Sequence, residues 1–145
     1  MDAVQRFRQA VESGDFAAAV REFAPDITFH SPVKFTPFRG IGQVSALFRV
    51  LGRTFENFRY VGEYSGSDVL GHDGPRAESH ILHFRTTVDG KQVDGIDLIQ
   101  LDEAGRIGTF TVMIRPLSAV QAVGEAVMRG LVADGVVPAP GSGAG

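Results

Sequence analysis

The chain has 145 residues, 43% of them hydrophobic and 21% charged, with a formal net charge of −3, a balance that fits one globular domain with room for one core and one site. Its 14 Lys and Arg residues are spread along the sequence without the clustered basic stripe that a phosphate backbone requires, so no nucleic-acid partner is expected. No cysteine is present, which removes disulfides, thiolate zinc sites and a cysteine nucleophile.

Val4, Phe7 and Val11 recur at helical spacing behind Asp2, a good N-cap, and predict an amphipathic helix over Asp2 to Glu12. Ser13-Gly14-Asp15 breaks it. Asp15 caps a second short helix through Phe16, Ala19, Val20 and Phe23, which Ala24-Pro25-Asp26 stops. Ile27 to His30 reads as a strand, and the prolines between Ser31 and Gly40 dictate a loop. Gly40-Ile41-Gly42 lacks the preceding strand and the Lys-Ser/Thr pair of a phosphate loop and is a helix entry. Val44, Leu47, Phe48, Leu51 and Phe55 then form one side of a third helix.

Beyond Asn57 the period changes to that of strands, over Phe58 to Tyr64, Arg76 to Val88, Lys91 to Leu101 and Arg106 to Arg115. Asp89-Gly90 is a hairpin turn signal and Asp102-Glu103-Ala104-Gly105 a longer turn, so an antiparallel meander is expected. Pro116 ends the last strand, and a terminal helix follows from Leu117 to Ala133. It is placed either to close a pocket mouth or to pack on a partner. One domain over residues 1–134 with a flexible tail over residues 135–145 is expected. No apolar stretch approaches the roughly 20 residues that cross a bilayer, and Asp2 to Phe7 does not have the pattern of a leader, so no membrane partner is expected and the cytoplasm is the expected location.

Chemistry concentrates on one carboxyl. In Gly95-Ile96-Asp97-Leu98-Ile99-Gln100-Leu101, Asp97 shares a strand face with Ile99 and Leu101, while Ile96 and Leu98 occupy the other. A strand apolar on both faces is covered on both, so Asp97 is expected to be at least partly buried. Two readings stay open. One is an acid whose pKa is raised by an apolar wall and which moves a proton near neutral pH; the other is a structural Asp held by an Arg or by backbone amides.

The order and spacing of several pieces carry a resemblance. They are Val4-Gln5-Arg6-Phe7 with Ser13-Gly14-Asp15, then Phe23-Ala24-Pro25-Asp26, the Pro32 and Arg39-Gly40 loop, and Ile96-Asp97 followed by Asp102 to Arg106. From Val4 to about Ile114 the chain resembles the nuclear-transport-factor-2-like superfamily, in particular its ketosteroid isomerase and SnoaL-like polyketide cyclase branches. The resemblance implies an α+β fold with a cone-shaped, strongly curved antiparallel sheet wrapped around N-terminal helices, plus a C-terminal helix. A deep pocket would open into its interior. Ketosteroid isomerases use a catalytic Asp base and an oxyanion hole made by a Tyr and a protonated Asp. Asp97 matches the oxyanion-hole Asp, but Phe7, Ser31 and Phe48 stand at the positions of the Tyr, the base and a supporting tyrosine. Efficient steroid isomerisation is therefore not expected, since a serine hydroxyl is far too weak a base. The remainder is more similar to SnoaL-like cyclases, which rely on one acid/base Asp in an apolar pocket.

The resemblance further implies that His80, Leu82, Phe84 and Ile99 face the pocket, together with Phe110, Val112 and Ile114 from the last strand. Asp97 and His80 are the catalytic candidates, His80 by pairing with Asp97 or, alternatively, as a core His satisfied by backbone. Phe7, Ser31, Phe35, Phe48, Leu82, Phe84, Ile99, Phe110 and Val112 are the substrate-binding candidates. No metal site is expected, because His80 and His83 lie on opposite faces of one strand, and no cofactor is expected. The implied function is a cofactor-independent acid/base enzyme of the isomerase, cyclase or lyase type acting on a small apolar carbonyl-bearing molecule. The alternative is a non-catalytic binding protein for a hydrophobic small molecule. Ile81, His83, Arg85, Leu98, Gln100, Thr109, Thr111 and Met113 face away from the pocket, and a homodimer through this outer sheet face is expected, as in much of the superfamily.

Overall fold

The computed structural model describes residues 1–138; of the tail expected over residues 135–145, residues 139–145 lie outside the described residues. The opening helices follow their caps. In α1 (Ala3–Glu12) the Asp2 carboxylate accepts the Gln5 amide at 2.9 Å and the Gln5 side chain accepts the Asp2 amide at 3.2 Å, a reciprocal capping box. Asp15 caps α2 (Phe16–Val20) without reciprocation, its carboxylate accepting the Ala18 amide at 2.9 Å. This helix ends before Phe23, which instead opens strand β1 (Phe23–His30). Pro25 is tolerated there because the ladder to the neighbouring strand is interrupted between Phe23 and Thr28.

A two-residue strand, β2 (Phe38–Arg39), precedes α3 (Gly40–Thr54). The meander then runs through β3 (Glu56–Val69), β4 (Arg76–Val88), β5 (Lys91–Leu101) and β6 (Ile107–Arg115), each pair antiparallel. Asp89 and Gly90 join β4 to β5 with φ of 49° and 77°, the left-handed conformation that a two-residue hairpin demands. α4 (Leu117–Ala133) closes the described chain.

The architecture is α+β, but the cone-shaped, wholly antiparallel wrap is corrected. The six strands form one open sheet in the order β2-β1-β6-β5-β4-β3, neither closed nor strongly curled, with β2 and β3 as separate edges. The sheet is also mixed, because β1 runs parallel to β6. A single helix, α3, carries the chain from the β2 edge of the sheet to the β3 edge, from which the meander returns to set β6 beside β1. Alternation in a strand shows which face is buried, whereas curling depends on bulges and corner geometry. The irregularities at Tyr60/Gly62 and Gln100/Leu101 bend the sheet locally without joining its edges.

One face of the sheet carries the core. Phe7, Phe23, Phe29, Phe48 and Phe110 form a connected set, with Phe7 and Phe110 centroids 5.3 Å apart and Phe23 and Phe48 5.1 Å apart. A second set, Phe55, Phe58, Tyr60 and Phe84, lies toward the β3 edge, with Phe58 stacked on Phe84 at 4.9 Å. Gly95, paired with Phe84, makes room for that ring. A Cβ there would overlap the Phe84 ring and stand 2.9 Å from the Met113 carbonyl oxygen. Gly95→Ala is expected to destabilise the fold by roughly 1–3 kcal/mol, read as a lowered midpoint of urea unfolding; an unchanged midpoint would show that the wall is not close-packed there.

Candidate functional site

The core does not fill the space between the sheet and its helices. A cavity of about 160 Å³ remains, walled almost wholly by apolar side chains. β-strands supply Phe29, Phe84, Phe110, Val112 and Ile114, α1 supplies Phe7 and Val11, and α3 supplies Leu47, Phe48 and Leu51. α4 adds Val123, Gly124, Val127, Met128 and Leu131. The terminal helix therefore closes the cavity. It is pinned by Arg129 to Asp89 and by Arg53 to Asp134, both at 2.7 Å, and Gly124 lets Val33 of the proline loop approach, since a Cβ at 124 would stand 3.3 Å from Val33 Cγ1.

Four polar side chains border this space: Ser31, Lys34, Tyr60 and Asp97. Asp97 is 6% exposed and sits on β5 between Leu82 of β4 and Val112 of β6. The Tyr60 hydroxyl donates to Asp97 Oδ2 at 2.8 Å. Oδ1 has no hydrogen-bond partner among the described residues, and no side-chain oxygen or nitrogen among them is both sealed and unpaired. Oδ1 therefore opens onto the cavity. Burial pushes the Asp97 carboxyl up to about 7, and the Tyr60 hydrogen bond opposes this without cancelling it. The Tyr60 hydroxyl is held well above its ordinary range by burial first and by the adjacent Asp97 charge second, so it stays a proton donor. The Arg8 guanidinium lies 5.7 Å over the Tyr60 ring.

The structure brings Asp97, Phe7, Ser31, Phe48, Phe84, Phe110 and Val112 to one cavity. Other candidates lie elsewhere. Leu82 and Ile99 are buried in the core without bordering the cavity. Phe35 is 85% exposed, its ring 6.0 Å from that of His72, because the proline loop turns it outward. His80 shares the inner face but lies beyond the cavity, with Nε2 2.7 Å from Glu78 and Nδ1 3.2 Å from Ser65. Of the two readings left open for His80, the structure does not bring it to Asp97: His80 is held by Glu78 and Ser65, and Asp97 faces Tyr60. Asp2, Glu78 and His80 bring ligand atoms within 4.8 Å of one another, but Asp2 is committed to its helix cap and Glu78 to His80. On the outer face, His83 contacts Asp94 at 2.5 Å, Met113 is 52% exposed, and Gln100 is buried beneath the end of β3, bonded to the Val69 carbonyl at 3.2 Å.

Tyr60 carried a readable signal. Phe58 and Tyr60 alternate with Asn57, Arg59 and Val61, which places both rings inward, and Tyr60 is one of only two tyrosines in the chain.

A family model described as SnoaL-like domain matches residues 4–108. The chain belongs to this family. As a SnoaL-like protein of the nuclear-transport-factor-2-like superfamily it is similar to solved structures across most of its length. A steroid delta-isomerase from Pseudomonas aeruginosa is 30% identical, with 93% of each chain covered and a TM-score of 0.79. A protein with a cystatin-like fold from Silicibacter pomeroyi DSS-3 is 27% identical, covering 92% of this chain and 88% of that one at a TM-score of 0.77. A SnoaL-like protein from Burkholderia thailandensis shares the fold at 17% identity, with 77% and 90% covered and a TM-score of 0.60. No curated protein sequence matches the chain. Among the described residues, no helix of this SnoaL-like chain is long and apolar enough to cross a membrane.

The raised Asp97 pKa has a thermodynamic consequence with a definite sign. Folding raises it from 3.8 to about 7, so the native state binds the more protons between those values. The stability contributed by protonated Asp97 is full below about pH 4 and lost as pH rises through about 7, up to roughly 4 kcal/mol in all. Asp97→Asn, neutral at every pH, is expected to abolish this fall in urea-unfolding free energy between pH 4 and 8. A ¹³C-detected titration of the carboxyl should give a midpoint near 7, moving higher in Tyr60→Phe, which loses the opposing hydrogen bond; a midpoint near 4 would refute the assignment.

Proposed function

We propose that this protein is a cofactor-independent acid/base enzyme of the isomerase, cyclase or lyase type, acting on a small apolar carbonyl compound with Asp97 as the group that moves the proton. The observation that supports it is the Asp97 and Tyr60 pair at the edge of an apolar cavity, with Oδ1 unengaged and directed inward. A carboxyl that titrates near 7 is available both as acid and as base at neutral pH. Ionised, Asp97 takes a proton from the carbon next to a bound carbonyl: the C–H bond breaks, an O–H bond forms at Oδ1, and the electron pair moves toward the carbonyl oxygen as an enolate. Returning the proton to another carbon gives an isomer; alternatively the enolate carbon attacks a second carbonyl, whose π bond breaks as the ring closes, and the resulting alkoxide takes the proton from Oδ1, leaving Asp97 ionised again. Tyr60 fixes the carboxyl through Oδ2 and leaves Oδ1 to react.

The 30% identity to a protein described as a steroid delta-isomerase favours proton transfer beside a carbonyl as the reaction class. The enclosed part of the substrate is smaller than a steroid: an apolar cavity of about 150 Å³ holds one benzene ring, so about 160 Å³ surrounds a single ring or a short chain, and four fused rings would project beyond the rim. Ser31 in place of a carboxylate agrees with this departure, and His80 has no part in the reaction because it lies outside the cavity.

A second reading, a binding protein for a hydrophobic small molecule, is favoured by Asp97 being the only carboxyl that borders the cavity among the described residues. Exchange of the α-protons of single-ring ketones such as cyclohexanone in D₂O separates the two. Exchange above the buffer rate, reduced about 10²- to 10⁴-fold in Asp97→Asn, is the enzymatic outcome. Binding with no exchange above buffer sinks the catalytic reading and leaves the second.

A further inference from the structure

We propose that the rim of the cavity is an anion-binding pole, so that the small molecule it takes carries a carboxylate or comparable anionic group at its outer end. The inference rests on the cavity being a ligand site, as proposed above. Its basis is the distribution of donors and acceptors among the lining residues.

At the rim, Ser31 Oγ accepts the amide hydrogens of Val33 at 3.3 Å and Lys34 at 3.1 Å. A hydroxyl whose lone pairs are engaged in this way has its own O–H left to donate. Lys34, on the same loop and also bordering the cavity, offers only donors at its ammonium, and it forms no ion pair among the described residues. The rim is thus a pole of donors. Lys34 is the one cation and Asp97 the one carboxylate among the residues that border the cavity.

These features polarise an otherwise apolar cavity. A neutral apolar ligand would leave the Ser31 hydroxyl and the Lys34 ammonium with water, and a cationic one would be repelled. An anionic group at the rim satisfies both while the ring or chain stays against the phenylalanines, an electrostatic match that selects among ligands of similar shape.

The test compares two probes with the same apolar body, 3-phenylpropanoate and 3-phenylpropan-1-ol, by isothermal titration calorimetry at pH 6, where Asp97 is mostly protonated. The carboxylate is expected to bind about fivefold more tightly, with the advantage shrinking toward parity in 1 M salt. Lys34→Ala should bring the two probes to parity and Lys34→Glu should reverse their order, with the alcohol's affinity unchanged throughout. Lys34 is exposed, so neither substitution disturbs the core. Equal binding of both probes to the wild-type protein, or a carboxylate preference that survives Lys34→Glu, would overturn the anionic rim and leave the cavity reading standing. Binding of neither probe would overturn both.

Discussion

A carboxyl group among phenylalanines is the constraint around which the rest of this structure is arranged. Desolvating a charged carboxylate costs several kcal/mol, roughly, unless it is paired, bonded or protonated. Among the described residues Asp97 has one hydrogen bond, from Tyr60, and no cation as a partner, so protonation carries most of the compensation. For that to hold, the surroundings must stay dry. Leu82 and Val112 flank Asp97 in the sheet, the two aromatic sets pack around it, and α4 roofs the cavity from the far side. Gly95 belongs to the same arrangement: without a side chain it lets Phe84, paired with Tyr60 on one side and Gly95 on the other, lie close to the sheet.

What was legible in the sequence is what depends on neighbouring residues. β4 and β5 occupy the spans that alternation and the Asp89-Gly90 turn mark out, and α1 starts where Asp2 caps it. Non-local pairing was not legible. Nothing in Phe23 to His30 announces a parallel partner 80 residues later, and a two-residue strand such as β2 has no periodicity to detect. β3 extends past Tyr64 through Gly66-Ser67-Asp68, whose composition reads as loop, because pairing with β4 supplies the order that propensity does not. In the site, the burial of Asp97 followed from Ile96, Leu98 and Ile99, while its partner did not. His80 has the right parity but the wrong position along the strand: it pairs with Ile99, one inward-facing pair beyond Asp97. Parity selects a face, and only the tertiary arrangement selects a place on it.

The cavity is assembled from distant parts of the chain, and this bears on how far family membership reaches. The matched residues end at 108, whereas β6 beyond Gly108 and the whole of α4 lie later and contribute Phe110, Val112, Val123, Gly124, Val127, Met128 and Leu131 to the walls. The floor, with Phe7, Phe48, Phe84 and Asp97, is inside the matched span. A ligand's reacting end would therefore meet residues of the family segment, and much of its body would meet residues outside it. Shape discrimination of this kind changes readily with helix side chains, because each large or small residue on α4 alters the cavity directly.

A single carboxyl also limits the chemistry by its own titration. A group that must both accept and return a proton works best when its pKa is near the surrounding pH, since otherwise one of its two forms is scarce. In water Asp would be almost entirely ionised at neutral pH, able to accept a proton but seldom holding one to give. The apolar cavity corrects this by raising Asp97 to about 7, and Tyr60 keeps it from rising further. Burial and hydrogen bond thus act in opposition on one group. Their balance leaves Asp97 with both protonation states accessible, which an ion-paired carboxylate at the same position would not have.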